Sequence, residues 1–212
     1  MSDGTPLIRE DVQGFLALVN SLPAPERLDP VEQRAGYLGL KAMTEADPRP
    51  MAVIKDLTCP GPAGDIPVRF YDVRESRDPS PVILFFHGGG FVIGDLDTHN
   101  SLCTELSAEL DLPVLAVDYR LAPEHPFPAA PDDCEAAARW LAASPKELER
   151  TVTGLVTIGG SAGGNLATVT ARSLIDRPAA APMLLQVLLY PATDESQDGS
   201  MERFAEGHLL TK

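Results

Sequence analysis

Continuous apolar runs alternate with helical patterns from residue 81 onward, and this alternation constrains the fold more than any other feature. The apolar runs cover residues 81–86, 112–117, 155–158 and 183–189. Helical patterns cover residues 98–110, 131–143 and 162–175. Strands that are apolar on both faces belong in parallel sheets with helices on both sides. The sequence therefore predicts an α/β fold with a mostly parallel sheet, in which all four of these strands are buried.

The chain before residue 81 has a different organisation. Residues 7–21 carry apolar side chains on one helical face, and a second helix begins at Asp29-Pro30 and runs to about Thr44. Two short strands, at residues 52–57 and 66–73, follow as a hairpin. We predict an N-terminal helical cap at residues 1–45 and a core at residues 46–212.

Charge and cysteine content exclude several classes of function. A net charge of −14 argues against nucleic acid and anionic membrane surfaces as partners, because both require basic patches. No apolar run has the length of a membrane span, and the N-terminus does not have the pattern of a signal peptide. The cysteines lack metal-ligand spacing and are odd in number. We expect a cytoplasmic protein with reduced thiols and without a cofactor.

A serine follows the third apolar run in the pattern G-x-S-x-G. Ser161 stands between Gly159 and Gly163, where a strand passes directly into a helix. Such a nucleophile elbow holds the serine oxygen clear of the backbone, and its glycines allow the strand and the helix to approach closely. The sequence predicts a nucleophilic serine at the N-terminus of a helix.

A glycine-rich loop follows the first apolar run. The residues are His87-Gly88-Gly89-Gly90, and their glycines expose consecutive N–H groups that can converge on an anion. Acyl transfer requires such donors for the oxyanion of its tetrahedral intermediate. A loop of this type accompanies G-x-S-x-G in esterases, so the two motifs together predict ester hydrolysis.

The chain resembles the bacterial hormone-sensitive-lipase family of carboxylesterases, which belong to the α/β-hydrolase superfamily. The matching segments are HGGGF at 87–91, DYRLAPEHPFPAA at 118–130 and GSAGGNLA at 160–167. The resemblance implies an acyl-enzyme on Ser161 and an oxyanion hole formed by the N–H groups of Gly89, Gly90 and Ala162. It also implies that the N-terminal helices cover the acyl pocket. His87, Gly88, Gly159 and Gly163 support the two motifs.

The chain departs from this family at two places. The residue before the nucleophile, usually an acid, is Gly160, which we expect to loosen the elbow. In the family an acid and then a histidine follow the serine on later strands, which we expect to be missing here. The acids and the histidine after the serine are Asp176, Asp194, Glu195, Asp198, Glu202, Glu206 and His208. Because none suits the triad, we expect impaired activity.

Other polar side chains near the motifs have structural interpretations. We expect Asp97 to cap the helix that follows it, rather than to bind metal with Asp95 and His99. Arg120 and Glu124 indicate a rigid, internally bonded loop, in which His125 is packed or capping.

Two functions remain open. One is a carboxylesterase whose remaining strands are lost or supplied by another chain, acting on a small acyl ester of short to medium chain length. The other is a non-catalytic ligand-binding or scaffold member of the same fold. In both cases the last apolar strand leaves an unpaired sheet edge. We expect a second copy or a complementing segment to cover this edge.

Overall fold

The structure, a computed structural model, describes residues 9–21 and 29–194. The chain is divided into two compact units, one formed by residues 1–29 with 194–212 and the other by residues 30–193. In the first unit, helix α1 spans Glu10–Ser21 and exposes most of its residues. The three glutamates, the aspartate and the histidine that follow Asp194 lie outside the described residues.

The second unit contains the sheet and its covering helices. The order of elements is α2 (Pro30–Thr44), β1 (Val53–Gly61), β2 (Gly64–Asp72), β3 (Ser80–Phe86), α3 (Asn100–Leu110), β4 (Val114–Val117), α4 (Ala129–Ala142), β5 (Val152–Gly160), α5 (Ala162–Asp176) and β6 (Met183–Leu189). Among the described residues, no helix has the length and apolar character to cross a membrane. Helix α2 belongs to this unit. The predicted boundary between a helical cap and a core at residue 45 stays a prediction.

The sheet brings the motif-bearing loops to one edge. Its strand order is β1-β2-β4-β3-β5-β6, with β4, β3, β5 and β6 parallel to one another and the β1–β2 hairpin antiparallel. This confirms the predicted α/β fold with a mostly parallel sheet. Because the carboxyl ends of parallel strands lie together, the loops that begin at His87, Asp118, Ser161 and Tyr190 share one rim.

Alternate side chains of the central strands pack on opposite faces of the sheet. On one face, Leu84 and Phe86 pack in a cluster with Leu166 of α5 and Leu141 of α4. On the other face, Phe85 packs in a second cluster that includes Cys103 of α3. Burial on both faces explains why β3 is apolar at each of its buried positions, Val82 to Phe86.

The prediction of a buried final strand is wrong. Leu184 and Leu185 of β6 are 54% and 56% exposed. Strand β6 pairs only with β5 among the described strands, so one edge and much of its surface remain uncovered.

Candidate active site

Ser161 stands at a strained turn between β5 and α5. Its backbone has φ 53° and ψ −119°, a conformation that is unfavourable for a residue with a side chain. The Ser161 N–H donates to the Leu189 carbonyl at 3.0 Å, and its carbonyl accepts from the N–H groups of Ala192 and Asn165, both at 3.1 Å. The surrounding backbone therefore holds the strained conformation in place.

The glycines on either side of Ser161 allow this turn. A Cβ atom on Gly159 would lie 2.2 Å from the Gly163 carbonyl oxygen, and one on Gly163 would lie 2.0 Å from the Phe86 carbonyl oxygen. Both distances are shorter than non-bonded atoms permit, and in each case the obstacle is backbone. The predicted reason for these glycines, close approach of strand and helix, is confirmed.

Gly160 contributes no side chain to the elbow, and its predicted loosening of the turn stays a prediction. The end of β6 and the residues after it hold the elbow through the bonds of Ser161 to Leu189 and Ala192. The side-chain amide of Asn165 also donates to the Ala192 carbonyl at 2.8 Å. The Tyr190 ring lies beside Gly160, where the side chain of a larger residue would be. The elbow is therefore fixed by contacts that use no side chain at position 160.

The glycine loop lies directly against the elbow. A Cβ atom on Gly88 would be 2.9 Å from the Gly160 carbonyl oxygen and 3.7 Å from the Ser161 Cβ atom. Gly89 and Gly90 have φ of 129° and 60°, and the Gly89 carbonyl accepts from the N–H groups of Val92 and Ile93, both at 3.0 Å. This turn leaves the N–H groups of Gly89 and Gly90 without a backbone acceptor among the described residues. Their role as oxyanion donors stays a prediction.

Ala162 begins α5 immediately after the serine. The first N–H groups of a helix have no partner within the helix, and the helix dipole makes that end electropositive. The N–H of Ala162 thus suits an anion beside Ser161, in agreement with its predicted role as the third donor.

His87 is part of the scaffold of the glycine loop. Its Nδ1 atom lies 2.9 Å from the Gly88 carbonyl oxygen, so Nδ1 carries the hydrogen and donates it. The Tyr119 hydroxyl donates to the His87 carbonyl at 2.8 Å, and the two rings stack with centroids 4.2 Å apart. Burial lowers the pKa of His87 to about 4, so the ring is neutral near pH 7. These contacts fit the predicted role of His87 in supporting the loop, which stays a prediction.

Asp118 lines a cleft of about 430 Å³ at the same rim. Burial raises the pKa of this carboxyl to about 6, with smaller contributions from the negative charges of Asp95 and Asp97. The sequence motif contained Asp118 but gave no reason for a perturbed carboxyl, because the three aspartates come together only through the fold.

Two predictions about polar side chains near the rim are wrong. Asp97 does not cap α3, because its carboxylate pairs with Arg69 at 2.7 Å. The loop of residues 119–130 has the predicted internal bonds, from Arg120 to the Ala129 carbonyl at 3.4 Å and from the His125 N–H to the Leu121 carbonyl at 2.9 Å, but Arg120 also pairs outside it with Asp133 of α4. His125, expected to be packed or capping, is exposed.

The structure brings no base to Ser161 among the residues that it describes. No hydrogen bond joins the Ser161 hydroxyl to a histidine in residues 9–21 and 29–194. Asp176 lies at the far end of α5, about 20 Å from Ser161 by helix rise, and pairs with Arg172. Within the same ranges, no cluster of histidine, cysteine, aspartate or glutamate could hold a metal ion. The predicted nucleophile Ser161 is therefore held in position by its backbone, and no base contacts it among the described residues.

Sequence reasoning missed Arg34 and Tyr190. Arg34 of α2 contacts the rim loops that begin at His87 and at Asp118. Tyr190 adopts φ 37° beside the elbow. An arginine within an amphipathic helix gives no sequence signal of its partners. The position of Tyr190 at the end of an apolar strand was the available signal, because such positions lie at the ligand-binding rim.

The family model described as alpha/beta hydrolase fold matches residues 83–212. The chain is 43% identical over 180 residues to the carboxylic ester hydrolase LipN of Mycobacterium tuberculosis, covering 82% of this chain and 48% of LipN. It is 42% identical over 149 residues to the ethyl acetate hydrolase of Pseudomonas putida, covering 68% and 46%.

A solved structure shows the same architecture. The hyperthermophilic esterase of the archaeon Pyrobaculum calidifontis matches with a TM-score of 0.89 and 32% identity, covering 97% of this chain and 67% of that one. The chain spans about half the length of the curated relatives that it matches.

Proposed function

The chain belongs to the alpha/beta hydrolase fold family, in its hormone-sensitive-lipase-like group, and from this premise we propose that it is a serine carboxylesterase. The observation that carries the proposal is the contact between the glycine loop and the strained serine: Gly88 lies against both Gly160 and Ser161. Similarity to named ester hydrolases supports the same reaction class. We propose esters with short to medium acyl chains as substrates.

In the proposed reaction, the Ser161 hydroxyl oxygen attacks the ester carbonyl carbon. A base takes the hydroxyl proton, and the N–H groups of Gly89, Gly90 and Ala162 stabilise the negative charge on the carbonyl oxygen. Loss of the alcohol gives an acyl-enzyme on Ser161, which water then hydrolyses. Each backbone donor of this kind contributes roughly 3 kcal/mol to transition-state stabilisation.

The base and the acid of this reaction lie outside the described residues in our proposal. Without a base, serine acylation keeps only the contributions of the oxyanion hole and of substrate binding. The rate then falls by a factor on the order of 10⁴ or more. The proposal therefore includes impaired activity whenever no histidine reaches Ser161.

A fluorophosphonate probe tests the nucleophile directly. We expect mass spectrometry to locate the adduct on Ser161 and expect Ser161→Ala to remove it. Ser101→Ala, at a serine whose hydroxyl donates to the Ala46 carbonyl, is the matched control and keeps the adduct. If the probe leaves Ser161 unmodified even when a segment carrying the missing acid and base is supplied, the esterase proposal fails.

A second function is favoured by the absence of a described base at Ser161. In this alternative the fold holds a small ligand without hydrolysing it. Equilibrium binding of an ester that stays intact, with equal affinity in the chain and in Ser161→Ala, supports it. Release of the alcohol in proportion to Ser161 labelling contradicts it.

We further propose that the exposed edge of β6 is covered by a second copy of the chain or by a complementing segment. The apolar and exposed side chains of Leu184 and Leu185 support this. All three cysteines are free and buried, which supports a reducing, cytoplasmic location.

A further inference from the structure

Arg34 of α2 forms a hydrogen-bonded clamp over the rim of the sheet. Its Nε donates to the Val92 carbonyl at 2.8 Å, and its Nη2 donates to the Ala122 carbonyl at 3.1 Å. Nη1 and Nη2 also donate to the two carboxylate oxygens of Glu124, at 2.9 Å and 2.7 Å. A single guanidinium group thus joins a helix to two loops.

The first of these loops contains the proposed oxyanion donors. Val92 donates its N–H to the Gly89 carbonyl at 3.0 Å, so the residue held by Arg34 is itself bonded to the glycine turn. The Phe91 carbonyl accepts from the Ala122 N–H at 2.8 Å, which ties the first loop to the second. Movement of Arg34 would therefore be transmitted to Gly89 through one intervening residue.

The contacts of the Arg34 guanidinium differ from those of an ordinary surface ion pair. Exposed pairs contribute little because water competes for each partner, whereas a planar guanidinium with carbonyl and bidentate carboxylate acceptors is fixed in orientation. The Arg34 side chain is 28% exposed. The hydrogen bonds from Arg34 favour the charged form of Glu124 and lower the pKa of this carboxyl to about 2. Lysine at position 34 could keep the charge but not all of these bonds.

We propose that Arg34 is a positioning residue for the glycine loop, which makes the orientation of the Gly89 and Gly90 N–H groups depend on the docking of α2. The catalytic consequence rests on the proposed esterase function. The structural coupling does not, because it concerns contacts within residues 30–193. Helix α2 would then act on the chemistry of Ser161 without contacting the serine.

Amide hydrogen exchange tests the coupling without requiring turnover. In Arg34→Ala we expect the amides of Val92 and Ile93 to exchange at least about tenfold faster, because the turn at Gly89 loses its support. Amides of β5 should keep their rates. Arg34→Lys should give an intermediate change. Arg172→Ala, which removes an exposed helical pair, is the control and should leave this loop unchanged.

Two exchange results overturn the coupling. One is unchanged Val92 and Ile93 amides in Arg34→Ala, and the other is an equal increase in every strand, which would indicate general destabilisation. Glu124→Gln keeps the carbonyl contacts of Arg34 available and should affect the loop less than Arg34→Ala does. An equal effect of the two substitutions would assign the coupling to the ion pair instead of the clamp.

Fluorophosphonate labelling tests the catalytic consequence. Arg34→Ala should lower the maximal rate of Ser161 modification about tenfold or more, while the probe concentration at half-maximal rate changes little. An exchange change with unaltered labelling would overturn the positioning role in the chemistry. If the unsubstituted chain is not labelled even when a segment carrying an acid and a histidine is supplied, the esterase proposal fails, and the exchange result alone decides the coupling.

Discussion

The phenol of Tyr190 lies directly against Gly160, the residue before the nucleophile. A Cβ atom on Gly160 would be 3.0 Å from the Tyr190 hydroxyl oxygen, whereas one on Gly159 would be 2.2 Å from the Gly163 carbonyl oxygen. Tyr190 is 80% exposed and can move, but the Gly163 backbone belongs to the first turn of α5. Two adjacent glycines of the elbow thus face obstacles of very different rigidity.

The first prediction follows from this difference. Gly159→Ala should lower the free energy of unfolding by roughly 3 kcal/mol or more, because strand and helix must separate. Gly160→Ala should change it by less than about 1 kcal/mol, because only the exposed Tyr190 ring has to shift. Chemical denaturation of both variants measures the two values. Equal losses would contradict the assignment of the rigid contact to position 159.

Asp118 provides a prediction about pH. Burial, with help from Asp95 and Asp97, raises its pKa from 3.8 to about 6, so the folded chain binds this proton more tightly than the unfolded chain. The stability that this group contributes is complete below about pH 4 and is lost as the pH rises through 6. Asp118→Asn should therefore be more stable than the natural chain at pH 8, by about 1–2 kcal/mol after allowance for partial exposure.

Below about pH 4 the two proteins should have equal stability, because Asp118 is then protonated in both the folded and unfolded states. Asp65→Asn, at an exposed position, is the control. Thermal denaturation at several pH values measures the difference. A constant difference at every pH would show that Asp118 does not titrate in this range.

A buried carboxylate at the end of the strands away from the rim provides the third prediction. Asp72 is fully buried and accepts hydrogen bonds from Arg77 at 2.8 Å and from Arg150 at 2.8 Å. Burial raises its pKa, but the bonds from Arg77, the Arg74 N–H and Arg150 outweigh it and leave the pKa lowered. Asp72→Asn should cost about 3–5 kcal/mol at pH 7, because two nearly buried guanidinium groups lose this counter-charge and Arg77 keeps only its pair with the half-exposed Asp111.

The stability contributed by Asp72 changes with pH in the opposite direction to that contributed by Asp118. A lowered pKa gives stability that is present above the ordinary value of 3.8 and is lost as the pH falls through the folded value. The difference in the free energy of unfolding between Asp72→Asn and the natural chain should become smaller at acidic pH. Asp176→Asn, which breaks the exposed pair with Arg172, should cost less than about 1 kcal/mol. A gap that is independent of pH would contradict the charged role of Asp72.

The regular elements could be predicted from the sequence because their patterns are local. Helix α2 and strand β6 have the predicted bounds, and β3 begins one residue earlier than predicted. The hairpin was predicted too short: β1 and β2 continue to Gly61 and Gly64, which pair across the turn. Proline at position 60 concealed this extension, since proline usually ends a strand unless it lies at a sheet edge.

The elbow glycines could also be predicted, since the constraint on Gly159 and Gly163 arises within a few residues. The partners of Arg34 could not, because they lie 58 to 90 residues away along the chain. The sequence has 17 lysines and arginines and 31 acids, and only the fold selects which of them meet. The unpaired edge of β6 was predicted, but the exposure of its side chains was missed for a related reason, since apolar composition does not tell whether a neighbour covers the strand.

The edge of β6 carries the final prediction. Leu185 is 56% exposed on a strand that has only one partner among the described strands, and burial of such a side chain contributes about 1.5–3 kcal/mol. We expect the chain to associate as its concentration rises and Leu185→Lys to shift it toward the monomer. Ile175→Lys, at an apolar residue of α5 that is 66% exposed, should not. Sedimentation velocity measures all three, and equal behaviour of the two lysine variants would show that association does not use this edge.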